Sequence, residues 1–258
     1  MITAIIQARM GSSRLPGKVM MEVNGRPLLD YLLERVQQSK LLEKIVFVTP
    51  DTTENDLIAA WCLEKKTDCY RGDETHLLGM YYHAATEHAA SLIVRLTGDN
   101  PIIDPEIIDI VIQYYLDNVD RYDYVSNGVP LPTTYPDGMN VEVFSYNVLS
   151  RSFNEAKLPS EIEHVTFYMW RTGNFRSYRV DMDSDYSKYR LTVDYLEDFE
   201  VVKQVIMNLY HGNAQYKLHD IVTFLEAKPE LLALQRDIKR HAGWVSAFKR
   251  DFLMQEAK

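Results

Sequence analysis

Short runs of apolar and β-branched residues alternate with longer amphipathic stretches along most of the chain. Three such runs are Ile2 to Ala8, Lys44 to Thr49 and Leu92 to Leu96. Between the first two, leucine and valine recur at positions 28, 29, 32, 33 and 36, which is the spacing of one helix face. Strands that alternate with covering helices form parallel sheets. The pattern therefore predicts an α/β fold with a Rossmann-like, mostly parallel sheet between layers of helices.

Later segments depart from this pattern. The stretch from Tyr122 to Phe144 is typical of extended chain, with turns at Asn-Gly 127–128 and Asp-Gly 137–138, and it predicts a small β insertion. We expect one helix from Ser160 through Trp170, strands near residues 175–181 and 189–193, and a helical tail over residues 210–258. No linker-like tract divides the sequence, so residues 1–258 are predicted to form a single domain.

Charge and apolar run length exclude several classes of partner. The net charge of −9 argues against binding to nucleic acid or an anionic membrane, because both need a broad basic surface. No run approaches the roughly 18 apolar residues of a membrane span. We expect a cytoplasmic protein whose two cysteines, Cys62 and Cys69, are reduced.

A cationic loop follows the first predicted strand directly. The segment QARMGSSRLPGK, residues 7–18, combines small residues with Arg9, Arg14 and Lys18. Glycine and serine let backbone N–H groups approach anionic oxygens, and the three cations match the charge of a triphosphate. The alternative is a solvated loop that is basic by chance.

Two other nucleotide motifs do not fit this spacing. A Walker A loop has four residues between its glycines, whereas five separate Gly11 from Gly17, and Val19 stands where that motif needs serine or threonine. The GxGxxG fingerprint of dinucleotide-binding folds does not occur. The loop therefore favours neither a P-loop ATPase nor a dehydrogenase.

The stretch IIQARMGSSRLPGK resembles the opening signature of the SpsF-like cytidylyltransferases, relatives of the CMP-KDO and CMP-sialic acid synthetases. The resemblance implies transfer of CMP from CTP to a sugar-type acceptor for a surface polysaccharide, with release of pyrophosphate. It implies a homodimer that uses an insertion at 122–175 for pairing and acceptor binding. The residues that it assigns to the nucleotide in this loop are Ala8, Arg9, Gly11, Ser12, Ser13, Arg14 and Lys18.

Two aspartates at predicted strand ends are candidate ligands for Mg²⁺, which takes one or two carboxylates alongside phosphate and water oxygens. Asp99 lies in LTGDNP and resembles the metal-binding Asp of the family, and Asp194 lies in RLTVDY at a comparable position. Asp99 has an alternative role as a turn residue, and Asp194 as a helix N-cap. With Asp99, Lys18 and Arg14 are the predicted catalytic residues.

Arg71 and Gly72 resemble the family's segment near the nucleobase. The alternative for Arg71 is a surface arginine that closes a turn. The chain then departs from the family's Asp-Val-Leu-x-Arg, because Met80 occupies the arginine position.

Three further residues are candidate acceptor ligands. Asn140 and Glu142 lie in a PDG…VEVF segment and would share one strand face, which equally suits solvent. His164 lies in ExEHVT, where a structural histidine is the alternative.

Two other functions stay open at this point. Asp181 and Asp183 form the DxD triplet of many glycosyltransferases, although a solvated loop explains it as well. A sensing module would bind a nucleotide without turnover. The identity of the NTP, CTP or another, and of the acceptor is not readable from the sequence.

Overall fold

A computed structural model describes residues 1–212, 215–238 and 242–256. The strands are β1 Ile2–Gln7, β2 Glu22–Val23, β3 Arg26–Pro27, β4 Lys44–Pro50, β5 Asp68–Gly72, β6 Leu92–Thr97, β7 Tyr124–Ser126, β8 Glu142–Ser145 and β9 Ser177–Arg179. The helices are α1 Leu28–Val36, α2 Asp56–Lys65, α3 Leu77–Glu87, α4 Pro105–Asp117, α5 Tyr146–Glu155, α6 Pro159–Glu163, α7 Phe167–Arg171, α8 Leu196–Leu209, α9 Leu218–Glu226, α10 Pro229–Leu234 and α11 Ala242–Glu256.

Seven of these strands form one sheet in the order β5-β4-β1-β6-β8-β7-β9. Strands β5, β4, β1 and β6 pair in parallel, and β8 runs antiparallel between β6 and β7. The predicted mostly parallel α/β fold is confirmed. The extended segment after Tyr122 contributes β7 and β8 to this same sheet.

The central pairing of β1 with β6 brings the two candidate loops together. Gln7 pairs with Thr97 at the carboxyl ends of these strands, and the Gly98 amide donates to the Gln7 carbonyl at 2.7 Å. A Cβ at Gly98 would lie 2.9 Å from that carbonyl oxygen. Glycine thus permits the close approach that places the cationic loop beside Asp99.

The alternation of side chains along β1 divides the core between the two sheet faces. Ala4 and Ile6 face α1, α4 and α8, whereas Ile5 faces α3 and α5. All three residues are fully buried. Burial of each isoleucine contributes about 1.5–3 kcal/mol, so both helical layers are held firmly to the sheet.

Two predicted elements differ in the structure. The helix expected from Ser160 is divided into α6 and α7, because Val165 between them has φ of 50°, which a continuous helix does not allow. The strand expected at 189–193 does not join the sheet. Leu191 and Val193 instead donate to the carbonyls of Asp137 and Asp99, at 2.6 and 2.8 Å.

The predicted helical tail is present as α9, α10 and α11, while positions 213–214, 239–241 and 257–258 lie outside the described residues. Among the described residues, no helix is both long enough and apolar enough to cross a membrane.

Candidate active site

The cationic loop is shaped by its own backbone. The Ser12 and Gly17 amides both donate to the Met10 carbonyl at 2.8 Å, and the Met10 amide donates to the Asn55 side chain at 2.9 Å. Gly17 has φ of 70°, which favours glycine, and it directly precedes a 3₁₀ turn over Lys18–Met20. These bonds turn the chain so that Lys18 points back into the site.

Lys18 joins the two predicted metal ligands. Its ammonium lies 2.7 Å from Asp99 Oδ2 and 2.8 Å from Asp194 Oδ1. Arg14 donates to the same Asp194 oxygen at 2.5 Å. Two carboxylates and two cations, separated by up to 180 residues in the sequence, therefore meet at one point.

The charges of this cluster fix its protonation. Burial alone lowers the pKa of Lys18, but Asp99 and Asp194 outweigh burial and hold that pKa above its ordinary value. Burial alone raises the pKa of Asp194, yet the charge of Lys18 and the bonds from Lys18 and Arg14 hold it well below its ordinary value. Both groups are charged at neutral pH.

Asp99 is oriented by its own turn. The Thr97 hydroxyl donates to Asp99 Oδ1 at 2.6 Å, and the Asn100 side chain donates to that hydroxyl at 2.8 Å. The second carboxylate oxygen of Asp99 binds Lys18. The turn thus presents one oxygen of Asp99 to the site.

Asp194 is not the N-cap of the following helix. Helix α8 begins at Leu196, and the side chain of Asp198 accepts the amides of Asp194 and Tyr195 at 2.9 and 3.0 Å. The N-cap position that was the alternative for Asp194 therefore belongs to Tyr195, and Asp198 supplies the capping carboxylate. Asp194 is left with its carboxylate among Lys18, Arg14 and Arg190.

These groups line a cavity of about 330 Å³. Its wall includes Ala8, Arg9, Ser12, Ser13, Arg14, Lys18, Asp99, His164 and Asp194 from the predicted set. Further wall residues, which sequence reasoning did not select, are Gln7, Val19, Val48, Pro50, Glu74, Leu77, Met80, Thr97 and Glu163. The loop, both aspartates and an apolar side thus share one space large enough for a small ligand.

The remaining predicted nucleotide residues lie outside the cavity wall. Gly11 adjoins the carboxylates of Glu54 and Glu74. Arg71 pairs with Asp51 at 3.1 Å and Asp56 at 2.7 Å and also donates to the Thr52 carbonyl, which is the turn-closing alternative.

Gly72 packs against Met80, since a Cβ there would lie 2.7 Å from the Met80 side chain. Met80 itself lines the cavity. A nucleotide role for Arg71 and Gly72 stays a prediction.

Asn140 and Glu142 do not present a shared polar face to the cavity. Glu142 is 8% exposed, pairs with Arg95 and accepts the Tyr124 hydroxyl at 2.6 Å. Arg95 also donates to the Gln7 side chain at 3.0 Å, and Gln7 lines the cavity. Glu142 therefore lies one layer behind the wall, and Asn140 packs beside Gly128.

His164 reaches the cavity from the break between α6 and α7. Its ring stacks on Phe167 with 4.5 Å between centroids, and its Nε2 has no hydrogen-bond partner among the described residues. Burial, together with the charges of Arg95, Arg171 and Arg9, lowers the pKa of His164 to about 4, although Asp251 opposes the shift. At neutral pH the ring is uncharged.

The DxD triplet, Asp181 and Asp183, lies outside the described wall of the cavity. Arg179 binds both oxygens of Asp181, at 2.8 and 2.9 Å. This geometry gives no support to a glycosyltransferase that uses the triplet. Cys62 and Cys69 are both unbridged, as predicted.

The charged groups at the cavity suit magnesium better than a transition metal. Within the described ranges, no three or more His, Cys, Asp or Glu side chains cluster as a metal cage. Asp99 and Asp194 supply two carboxylates, which is the number that Mg²⁺ commonly takes when phosphates complete its coordination. The donor set fits a nucleotide-bound Mg²⁺.

The sequence profile of the cytidylyltransferases matches residues 3–221. The chain belongs to this family. The predicted enzyme class and the predicted transfer of CMP from CTP are thereby confirmed. This cytidylyltransferase is 34% identical over 239 residues to the spore coat polysaccharide biosynthesis protein SpsF of Bacillus subtilis, covering 89% of the chain and 95% of SpsF.

Two further relatives agree with this assignment. The structure of a cytidylyltransferase from Leptospira borgpetersenii is 31% identical and superposes with a TM-score of 0.85, covering 93% of this chain and 99% of that one. The 8-amino-3,8-dideoxy-manno-octulosonate cytidylyltransferase of Shewanella woodyi is 28% identical over 216 residues, covering 82% and 87% of the two chains. This cytidylyltransferase therefore aligns with its relatives over most of their length.

Proposed function

We propose that this cytidylyltransferase joins CMP to a sugar acid, with Mg²⁺ held by Asp99 and Asp194, in the synthesis of a surface polysaccharide. The observation that carries the proposal is the contact of Lys18, at the end of the cationic loop, with the carboxylates of both Asp99 and Asp194. The names of SpsF and of the Shewanella relative support the pathway and the acceptor class.

The triphosphate would lie along the loop. Lys18 and Arg14 would bind the pyrophosphate as it leaves, and Arg9 would orient the phosphate tail. Bound Mg²⁺ would neutralise phosphate charge and polarise the α-phosphorus. Lys18 and Arg14 both donate to Asp194 Oδ1, so phosphate oxygens would share or compete for these N–H groups when CTP binds.

The base would occupy the apolar side of the cavity. Val48 and Pro50 end β4, and Leu77 and Met80 lie on the first turn of α3 opposite them. These side chains offer flat apolar contacts, whereas discrimination of cytosine needs directed hydrogen bonds. Arg71 and Gly72, at the end of β5, are the predicted source of these bonds.

The acceptor would enter beside His164. The uncharged imidazole lines the cavity, and its buried Nε2, which has no partner among the described residues, would form a hydrogen bond with a sugar hydroxyl that reached it. Gln7 and Thr97 add polar groups to the same wall. The acceptor oxygen would attack the α-phosphorus in line and displace pyrophosphate.

Dimerisation and location complete the proposal. Leu131, 45% exposed within the 122–175 segment, is an apolar side chain that pairing of two copies would cover. Light scattering after gel filtration tests the homodimer, and a Leu131→Asp variant should be monomeric. A CTP-consuming reaction also favours the predicted cytoplasmic location.

Pyrophosphate release tests the proposed reaction. Each of the four NTPs is incubated with Mg²⁺ and a panel of sugar acids, neutral sugars and sugar phosphates. We expect release only with CTP and a sugar acid, and a loss of at least about a hundredfold in Lys18→Ala. Arg179→Ala, which removes an arginine outside the cavity, is the matched control. CTP binding without turnover on any acceptor would favour the sensing module instead.

A further inference from the structure

A buried arginine lies directly behind the Asp194 carboxylate. The side chain of Arg190 is 7% exposed and is surrounded by three aspartates. Its guanidinium donates to Asp137 at 2.6 Å, to Asp194 at 2.9 Å, and to both oxygens of Asp198 at 2.9 and 3.0 Å. Sequence reasoning did not select this residue.

The two oxygens of Asp194 have different partners. Oδ2 accepts from Arg190, while Oδ1 faces the cavity cations Lys18 and Arg14. We propose that Arg190 is a positioning residue, which holds Asp194 Oδ2 so that Oδ1 stays directed into the cavity as a ligand for nucleotide-bound Mg²⁺. This inference rests on the metal role given to Asp194 in the proposed function.

The position of Arg190 is fixed from behind. Asp198 is fully buried, caps α8 through the amides of Asp194 and Tyr195, and also accepts from the Gln235 side chain at 2.7 Å. Asp137 and Arg190 form a parallel backbone bridge in addition to their ion pair. A carboxylate held through such a braced partner loses little freedom when it binds a metal.

Arginine is required for this role because of its shape. A planar guanidinium presents several N–H groups in fixed directions and here reaches three carboxylates at once. Lysine would keep the charge, but its one nitrogen cannot occupy the three positions from which Nε, Nη1 and Nη2 of Arg190 reach these carboxylates. Lysine at this position should therefore not restore the orientation of Asp194.

A purely structural role for Arg190 is the competing explanation, since the cation neutralises buried aspartates. Arg190→Met alone leaves Asp137 and Asp198 without that partner and is expected to melt lower. The double variant Arg190→Met/Asp198→Asn removes one positive and one negative charge, so the net charge of the cluster is unchanged. Arg190→Lys completes the set, and Arg179→Met, at a half-buried arginine outside the described cavity wall that also pairs with an aspartate, is the matched control.

The test compares binding of CTP with and without a metal. Water proton relaxation follows the titration of Mn²⁺–CTP with each protein, and calorimetry in EDTA follows metal-free CTP. We expect the double variant and Arg190→Lys to bind Mn²⁺–CTP about 10- to 100-fold more weakly than the wild type. Their affinity for metal-free CTP and the binding by Arg179→Met should stay at the wild-type level.

Three outcomes overturn the inference. A folded double variant that binds Mn²⁺–CTP as tightly as the wild type assigns Arg190 a structural role only. Equal weakening of both forms of CTP points to a general distortion of the site. Wild-type protein that binds CTP equally well with and without Mn²⁺ refutes the metal role of Asp194 in the proposed function, and the inference falls with it.

Discussion

Replacement of His164 by glutamine tests whether the cavity holds this ring uncharged. The imidazole lies at the break between α6 and α7, stacks on Phe167 and lines the cavity. Burial and three nearby arginines disfavour its protonation. Glutamine keeps a polar side chain of similar reach and has no titration in this range.

The sign and size of the effect follow from the pKa of His164. It is about 4 in the folded protein and 6.5 in a histidine of ordinary environment. Between these values the unfolded chain binds a proton that the folded protein does not, so stability falls as the pH falls from 6.5 to 4. At about 1.4 kcal/mol per pH unit, the loss across this window is about 3 kcal/mol.

Urea unfolding of the wild type and His164→Gln between pH 4.5 and 7.5 measures how much His164 contributes to the pH dependence of stability. Other titrating groups are common to both proteins and cancel in the difference between their free energies of unfolding. We expect the wild type to lose about 2–3 kcal/mol relative to the variant on acidification. His83→Gln, on the exposed side of α3, controls for the change of side chain. Parallel pH curves for the wild type and His164→Gln would refute the reasoning.

Three other predictions follow from the structure. Lys18→Met should lower the rate of pyrophosphate release by about two to three orders of magnitude. Without ligand it should also melt at a lower temperature, because Asp99 and Asp194 lose a shared cation. Calorimetry with and without Mg²⁺ measures this change in melting temperature. Chelation of divalent ions should abolish pyrophosphate release and added Mg²⁺ should restore it, whereas full activity in EDTA would exclude the metal. Gly138→Ala should destabilise by about 2–4 kcal/mol in urea unfolding, since φ is 102° and a Cβ would lie 2.4 Å from the Leu191 backbone; Gly25→Ala, with φ of 73° and open space, should lose far less.

Local sequence was enough to predict that the cationic loop and Asp99 meet at one edge of the sheet. Both directly follow apolar strand patterns, and the carboxyl ends of neighbouring parallel strands meet at one edge. Asp194 was also expected beside them, although residues 189–193 do not form a strand of the sheet. This segment is held by the carbonyls of Asp137 and Asp99, which lie far away in the sequence. A local pattern cannot distinguish such loop partners from a neighbouring strand.

Residues whose role depends on distant partners could not be predicted. The register of β6 with β8 places Arg95 opposite Glu142, which removes Glu142 from the surface that alternation alone suggested. Arg190 cannot be distinguished from other charged residues in its segment by local pattern, because its partner Asp137 lies 53 residues earlier, in the loop between β7 and β8. Helices α4 and α5 were not predicted, although Asp104 caps the first through the Glu106 amide.

One ammonium, that of Lys18, is shared between the carboxylates of Asp99 and Asp194 and partly neutralises both. In the proposed function, an arriving triphosphate would compete with both aspartates for this cation, so its affinity would be lower than that for an unpaired lysine. Pyrophosphate would meet the same competition after the transfer. The two aspartates would then favour its release and restore the ion pairs with Lys18.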